Sequence, residues 1–286
     1  MSIEVIGVVG AGQMGRGIAQ VAAEAGLTAH LLDVDMATAE NGVEQVARTL
    51  SRRVEKGELS ADARTAILSR VRPTGDYASF ADAQMVIEAA TERFELKAEL
   101  FRRMDEAAPE GAILASNTSS ISITKLAACT TRPELVVGMH FMNPVPVMKL
   151  VELIRALQTS EATFAATRAL AERLGKTVIT SLDRPGFIVN RMLIPFINEA
   201  CFVLEEGIGT PEEIDAGAKL GLNHPLGPLA LADLIGLDTC LAIAEVLHSQ
   251  LGDDKYRPAP ILRNYVAAGW LGRKTRRGFH DYSERR

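Results

Sequence analysis

The chain has 286 residues, 47% of them hydrophobic, which is enough to bury the core of one large domain and a smaller one. A net charge of −5 at pH 7 argues against a protein that binds nucleic acid or an anionic membrane, since both functions need an excess of basic residues. Three widely spaced cysteines without metal-ligand spacing, no membrane-length apolar run and no recognisable import signal together predict a metal-free cytoplasmic protein that contacts no membrane.

The first part of the chain predicts a parallel α/β sheet. Residues 5–9 are typical of a buried strand, residues 18–25 of a helix that ends at Gly26, and residues 28–33 of a second strand. Two helical patterns, split near Gly57, then form an insertion that is longer than a simple crossover needs. Strand and helix alternate again over residues 85–115, which indicates a doubly wound sheet.

The pattern changes twice further along the chain. Residues 135–141 and 149–154 predict two strands whose short link, Asn143-Pro144-Val145-Pro146, favours an antiparallel hairpin at the edge of the sheet. After Asp183-Arg184-Pro185-Gly186 the sequence reads as helices, with one strand-like stretch at residues 278–282. We therefore predict an α/β domain over residues 1–184 and an all-α domain over residues 185–286.

A glycine-rich turn between the first strand and the first helix predicts a dinucleotide site. Gly10-Ala11-Gly12-Gln13-Met14-Gly15 has the GxGxxG spacing, and Asp33 closes the second strand about 20 residues later. The fold is then a Rossmann-type α/β sheet, and the Asp33 carboxylate favours NAD over NADP because it would repel a 2′-phosphate. The residues predicted to bind the cofactor here are Gly10, Gly12, Gln13, Met14, Gly15 and Asp33.

Short polar segments near the hairpin supply candidate catalytic groups. His140 can exchange a proton near neutral pH, and the hairpin would place Glu152 opposite it, where a carboxylate could orient the imidazole. Asn117 and Ser119 lie in a polar segment after the preceding strand. Each residue also has a structural interpretation: a core histidine, a solvated edge carboxylate, or a polar turn or helix cap.

Together these residues resemble a known family. The matching motifs are Ser116-Asn117-Thr118-Ser119-Ser120, His140 to Lys149, Pro185-Gly186-Phe187-Ile188-Val189-Asn190-Arg191, Asn223-His224-Pro225-Leu226-Gly227-Pro228 and Gly272-Arg273-Lys274-Thr275. They make the whole chain similar to the short-chain 3-hydroxyacyl-CoA dehydrogenases, most closely the bacterial 3-hydroxybutyryl-CoA dehydrogenases. The resemblance implies that His140 is the base, that Glu152 is its partner, and that Ser119 and Asn190 bind the reacting C3 oxygen. It also implies NAD contacts at Glu92, Lys97, Asn117, Ser119, Asn143 and Lys274.

The inserted helices carry a basic patch on this acidic chain. A solvated helix face would explain the patch, but coenzyme A also needs cations for its phosphates. The resemblance places the adenosine end of CoA at Thr49, Arg52, Arg53 and Lys56, and it implies a homodimer formed through the helical domain, which would also contact the substrate. A 3-hydroxyadipyl-CoA dehydrogenase, an enzyme for free 3-hydroxy acids, and a crystallin-like, non-enzymatic NAD(H)-binding protein remain as alternatives.

Overall fold

The computed structural model describes residues 2–283, and the chain divides into two compact units, Met1–Arg184 and Pro185–Arg286. The strands, all in the first unit, are β1 (Val5–Val9), β2 (Thr28–Leu32), β3 (Val71–Thr74), β4 (Met85–Glu88), β5 (Ile113–Ser116), β6 (Val136–Phe141), β7 (Leu150–Arg155) and β8 (Thr177–Leu182). The helices of that unit are α1 (Gln13–Glu24), α2 (Met36–Glu55), α3 (Ala61–Leu68), α4 (Phe94–Ala107), α5 (Ile123–Ala127) and α6 (Glu161–Arg173).

The eight strands form one sheet in the order β3-β2-β1-β4-β5-β6-β7-β8. Neighbouring strands are parallel except for the β6–β7 pair, so the predicted doubly wound sheet and its antiparallel hairpin are confirmed. The hairpin does not lie at the edge, however, because β8 pairs with β7 on its outer side. The sheet order reverses between β1 and β4, and the crevice at such a switch point is where ligands bind in this class of fold.

The predicted insertion after β2 consists of α2 and α3. The Asp35 side chain accepts a hydrogen bond from the Thr38 amide (2.7 Å) at the start of α2, and Ser60 caps α3 in the same way (3.1 Å). Gly57 makes the turn between the two helices with φ of +72°, a conformation that favours glycine. These caps and the glycine explain why the sequence showed two helical patterns here and a break between them.

The second unit is helical, as predicted. Its helices are α7 (Val189–Glu205), α8 (Pro211–Ala216), α9 (Pro228–Ile235), α10 (Leu237–Leu251) and α11 (Pro260–Ala267). The apolar run over residues 229–251 forms two helices, because Gly236 has φ of +106° and interrupts the run. Within residues 2–283, no helix is both long and apolar enough to span a membrane.

The strand expected over residues 278–282 is wrong. This stretch forms bends and one isolated bridge, at Asp281, around the side chain of Asp233, which is 1% exposed. The Asp233 carboxylate accepts hydrogen bonds from the backbone amides of Phe279 and His280 (both 2.9 Å) and from the Tyr282 hydroxyl (3.1 Å). A buried carboxylate thus takes the amides that a strand would have donated to a neighbour.

Candidate active site

The glycine-rich turn leads from β1 into α1 in a shape that only glycine permits. Gly10 has φ of +105°, and a Cβ atom at Gly15 would lie 1.7 Å from the Gly10 carbonyl oxygen. At Gly12, an added Cβ would meet nothing within 4 Å, so its surroundings are open. The turn therefore lets α1 approach β1 closely and leaves room at Gly12 for a ligand.

The start of α1 fits the diphosphate of a dinucleotide. Its N-cap residue, Gly12, supplies no side-chain hydrogen bond, so the first amides of the helix have no side-chain cap and can bind an anion. A cavity of about 470 Å³ opens beside it, and its lining includes Gly10, Asp33, Val34, Tyr77, Leu96 and Arg103. The Asp33 Oδ2 atom accepts from the Ala11 amide (2.6 Å), so the acidic residue is fixed at the turn.

His140 and Glu152 form a buried pair across the hairpin. The two residues are opposite each other in the β6–β7 register, as the sequence predicted. His140 Nδ1 lies 2.7 Å from Glu152 Oε2, and the two side chains are 9% and 0% exposed. The carboxylate is therefore not a solvated edge residue. An ionised carboxylate can only accept a hydrogen bond, so it favours the tautomer that carries the proton on Nδ1 and leaves Nε2 as the basic nitrogen of the ring.

The link between β6 and β7 is tied to the glycine-rich turn. Gln13 Nε2 donates to Asn143 Oδ1 (2.9 Å), which joins the first turn of α1 to the start of the link. The Lys176 ammonium donates to the carbonyl oxygens of Val145 (2.5 Å) and Met148 (2.9 Å). Two predicted cofactor residues, Gln13 and Asn143, are thus brought together, and the link that carries Asn143 is held to the body of the unit.

The polar segment after β5 is organised by Glu92. Glu92 Oε1 accepts from the Thr118 hydroxyl (2.6 Å), from the Ser119 amide (2.9 Å) and hydroxyl (3.2 Å), and from the Ser120 amide (3.0 Å). Burial raises the pKa of Glu92, but the Lys97 charge and these hydrogen bonds outweigh it and hold the pKa below its usual value. Glu92 is therefore an ionised acceptor at neutral pH.

The same segment is joined to the strand that carries the histidine. Asn117 Oδ1 accepts from the amide of Phe141 (2.9 Å), the residue that follows His140. Asn117 therefore connects the end of β5 to the end of β6. The predicted site residues Asn117, Ser119 and His140 all lie along the carboxyl edge of the parallel strands.

Glu88 was missed by the sequence analysis. It ends β4, is 0% exposed, and its Oε1 atom lies 2.6 Å from the ammonium of Lys97. Lys97, a predicted NAD contact, is itself only 1% exposed. A signal was available, because a glutamate within the apolar run Met85-Val86-Ile87-Glu88-Ala89-Ala90 is expected to need a buried partner.

Two predicted site residues belong to the second unit. Asn190 is buried (8% exposed) in the first turn of α7. Lys274 is half-exposed, and its ammonium lies 2.6 Å from both carboxylate oxygens of Asp238. Lys274 is therefore held by an acidic neighbour within this unit.

One arginine of the basic patch on α2 has an acidic partner. Arg53 Nη1 pairs with Glu24 Oε1 at 2.7 Å, so this guanidinium is engaged by α1. Thr49, Arg52 and Lys56 are exposed, and their spacing of three and four residues places them on one face of the helix. These three residues remain as the candidate contacts for a phosphorylated ligand.

Known proteins resemble the chain over its whole length. The family model described as "3-hydroxyacyl-CoA dehydrogenase, NAD binding domain" matches residues 5–184, and the model of the C-terminal domain of the same enzymes matches residues 186–282. A probable 3-hydroxybutyryl-CoA dehydrogenase of Bacillus subtilis is 54% identical over 285 residues, covering 100% of this chain and 99% of that protein. The 3-hydroxybutyryl-CoA dehydrogenase of Bradyrhizobium diazoefficiens is 53% identical, with 98% and 96% covered.

A solved structure gives the same result. The crystal structure of an (S)-3-hydroxybutyryl-CoA dehydrogenase from Ralstonia eutropha superposes with a TM-score of 0.96 at 54% identity. The match covers 99% of this chain and 100% of that one.

Proposed function

Because the chain belongs to the 3-hydroxyacyl-CoA dehydrogenase family, we propose that it interconverts (S)-3-hydroxybutyryl-CoA and acetoacetyl-CoA with NAD. The buried His140–Glu152 pair is the observation that carries this proposal, since oxidation of a secondary alcohol needs a base. The NAD fingerprint lies on the same edge of the sheet, and NAD, when bound, accepts the hydride from C3.

His140 takes the proton from the C3 hydroxyl group through Nε2. Glu152 accepts a hydrogen bond from the Nδ1–H group of His140 throughout the reaction. Its negative charge stabilises the imidazolium that forms. Both side chains are buried, which limits the access of water to the pair. In the reverse direction the imidazolium returns the proton to the oxygen as the ketone is reduced.

Ser119 and Asn190 hold the C3 oxygen in this proposal. Ser119 lies in the segment that Glu92 and Asn117 fix beside the end of β6, which supports a position close to the base. Asn190 would contribute an amide donor from the second unit. Two donors at this oxygen would stabilise the negative charge that develops on it.

The cofactor would be held by the residues that the sequence predicted. The amides at the start of α1 suit the diphosphate, and Asp33 suits the adenosine ribose. Glu92, Asn143 and Lys274 are proposed to contact the nicotinamide half. For the substrate, the exposed stripe of Thr49, Arg52 and Lys56 is proposed to bind the phosphates of CoA.

The protein is further proposed to be a cytoplasmic homodimer formed through the second unit. Several large apolar side chains of that unit are more than half exposed, among them Met192 (64%), Ile208 (70%) and Leu220 (85%). Exposed apolar surface of this kind supports a subunit interface. Free Cys129, Cys201 and Cys240 are compatible with a reducing compartment.

A substrate comparison tests the proposed function. We expect NADH to be consumed with acetoacetyl-CoA and not with free acetoacetate, because the α2 stripe has no phosphate to bind in the free acid. Longer 3-oxoacyl-CoA substrates and the ω-carboxylated 3-oxoadipyl-CoA define the chain-length range in the same assay. Equal rates with acetoacetate and its CoA ester would refute a CoA-dependent enzyme.

A further inference from the structure

A buried ion pair lies beneath the polar segment of the site. Glu88, the last residue of β4, and Lys97, in the first turns of α4, are 0% and 1% exposed and lie 2.6 Å apart. Burying such a pair costs desolvation energy, and an apolar pair of similar size is often as stable or more so. The pair therefore calls for an explanation beyond stability of the fold.

The side-chain contacts of this pair lead to Ser116, at the end of β5, and to the loop that follows β4. Glu88 Oε2 accepts from the Ser116 hydroxyl (2.6 Å), and Glu88 Oε1 accepts from the Ala90 amide (2.6 Å). Lys97 Nζ donates to the Ala90 carbonyl oxygen (3.1 Å) and lies 3.3 Å from Glu92 Oε2. Glu88 and Ser116 are direct neighbours in the β4–β5 register, at the carboxyl ends of both strands.

Glu92 connects the ion pair to residues 116–120, which we call the serine segment. One oxygen atom of Glu92 faces the Lys97 ammonium, and the other accepts hydrogen bonds from Thr118, Ser119 and Ser120. The Ser116 hydroxyl, held by Glu88, in turn accepts from the Thr118 amide (3.2 Å). The serine segment is thus held by hydrogen bonds to Glu88 at its start and to Glu92 along its length.

The bond between Glu92 and the Ser119 hydroxyl is the longest that Glu92 accepts from the serine segment. At 3.2 Å, it exceeds the 2.6 Å bond to Thr118 and the bonds to the amides. The Ser119 backbone is thus held by its amide, and the hydroxyl makes the longest hydrogen bond of the set. The arrangement fixes where Ser119 lies beside Glu92.

We propose that Glu88 is a positioning residue, which acts through Lys97 and Ser116 to hold Glu92 and thereby the Ser119 hydroxyl where it meets the reacting oxygen. The inference rests on the proposed function, in which Ser119 binds that oxygen. It also gives Lys97 a role beneath the surface, as the cation that holds two carboxylates in place. A displacement of about 1 Å in such a group can cost about 10²-fold in rate.

A double-mutant cycle tests the inference. Glu88→Gln removes the charge and retains the shape, and it should lower kcat by ~10–10²-fold, with Glu88→Asp between it and the wild type. Ser119→Ala alone should lower kcat by ~10²-fold. Because Glu88 acts through Ser119, adding Glu88→Gln to Ser119→Ala should lower kcat no further. Independent, multiplying losses would overturn the proposal.

A neutral pair separates positioning from stability. Glu88→Gln alone leaves the Lys97 ammonium uncompensated and should lower the unfolding temperature, whereas Glu88→Gln with Lys97→Met leaves no buried charge and should restore it. Activity should stay low in the restored double variant. Recovery of both stability and kcat would reduce the pair to a structural role and refute the inference.

Asp105→Asn provides the matched control. Asp105 and Arg132 form another buried pair of the same unit, 2.5 Å apart with side chains 7% and 10% exposed. Loss of this pair should lower the unfolding temperature and leave kcat per folded molecule unchanged.

The two proposals can fail separately. If the wild type shows no turnover of acetoacetyl-CoA, the proposed function fails. If the wild type is active and Glu88→Gln matches it, only the positioning role fails.

Discussion

A buried carboxylate is stable only where partners replace the water it has lost. In this site two buried carboxylates, those of Glu152 and Glu88, and the partly exposed carboxylate of Glu92 have different partners. Glu152 bonds the imidazole of His140, Glu88 bonds Lys97 and the hydroxyl of Ser116, and Glu92 collects the amides and hydroxyls of the serine segment. The charges at the carboxyl edge of the sheet are therefore fixed before any ligand arrives, which is what an oxidoreductase needs for proton and hydride transfer.

Replacement of Glu152 tests its role as the partner of His140. Glu152→Gln retains the size of the side chain but removes the charge and can stabilise the wrong tautomer of His140, so kcat should fall by ~10²–10⁴-fold. KM for NADH should change little, because the glycine-rich turn is untouched. Glu161→Gln, an exposed glutamate (86%) on α6, is the control and should behave as the wild type in steady-state assays. A Glu152→Gln variant within twofold of the wild type would contradict the assigned role.

Sequence reasoning reached His140 and Glu152 because the register of a short hairpin decides which side chains face each other. It did not reach Glu88, Ser116 or Glu92 as a connected set. Their contacts join residues that are 9 and 28 positions apart, across a strand, a helix and a loop. Periodicity assigned the elements but could not show that Lys97 turns inward between two acids.

At the scale of elements, the sheet and the helical insertion follow from apolar periodicity and from turn residues. The sequence predicted β7 but not β8. Only one of the six residues of β8, Ser181, is buried, so this strand lacks the apolar pattern of a core strand. The run at residues 278–282 looked like a strand because it alternates, and the Asp233 side chain then took its amides. Hydrogen bonds to a buried carboxylate far away in the sequence outweigh the local strand pattern. A single sequence does not reveal that Asp233 contacts these amides.

The Asp105–Arg132 pair predicts a pH effect on stability. Burial raises the pKa of Asp105, but hydrogen bonds from Thr131 and Arg132 hold it below its usual value. The pair therefore stabilises the fold above the ordinary pKa of an aspartate, and this contribution is lost as the pH falls through the lower folded-state pKa. At pH 7, Asp105→Asn should reduce the free energy of unfolding in urea by about 3 kcal/mol.

The difference between the wild type and Asp105→Asn should shrink below about pH 4, the ordinary pKa of an aspartate, because the carboxyl of the unfolded chain then protonates while that of the folded chain still resists protonation. Urea titrations at neutral and acid pH measure it. A difference that stays constant across this range would show that the ionised form of Asp105 is not what stabilises the fold.

At the scale of the whole molecule, each unit carries residues of the proposed function. The first unit carries the base, its carboxylate and the NAD fingerprint, and the second unit carries Asn190 and Lys274. The homodimer is proposed to form through the second unit, where Leu220 is 85% exposed.

A charge at Leu220 tests the assembly. Leu220→Asp would place a carboxylate in the proposed interface, so light scattering should give the mass of a dimer for the wild type and a larger monomer fraction for the variant. Lys219→Asp, which changes the neighbouring exposed residue, serves as the control and should stay dimeric. A wild type that is monomeric at all concentrations would contradict the proposed dimer.

The most direct test of the central claim is the rate of NADH oxidation with acetoacetyl-CoA by the wild type and by His140→Ala. We expect turnover by the wild type and a loss of kcat of ~10²–10⁴-fold in the variant, with NADH binding retained because the cofactor cavity is unchanged. Wild-type-like kcat in His140→Ala would show that the buried pair of β6 and β7 is not the base of this reaction.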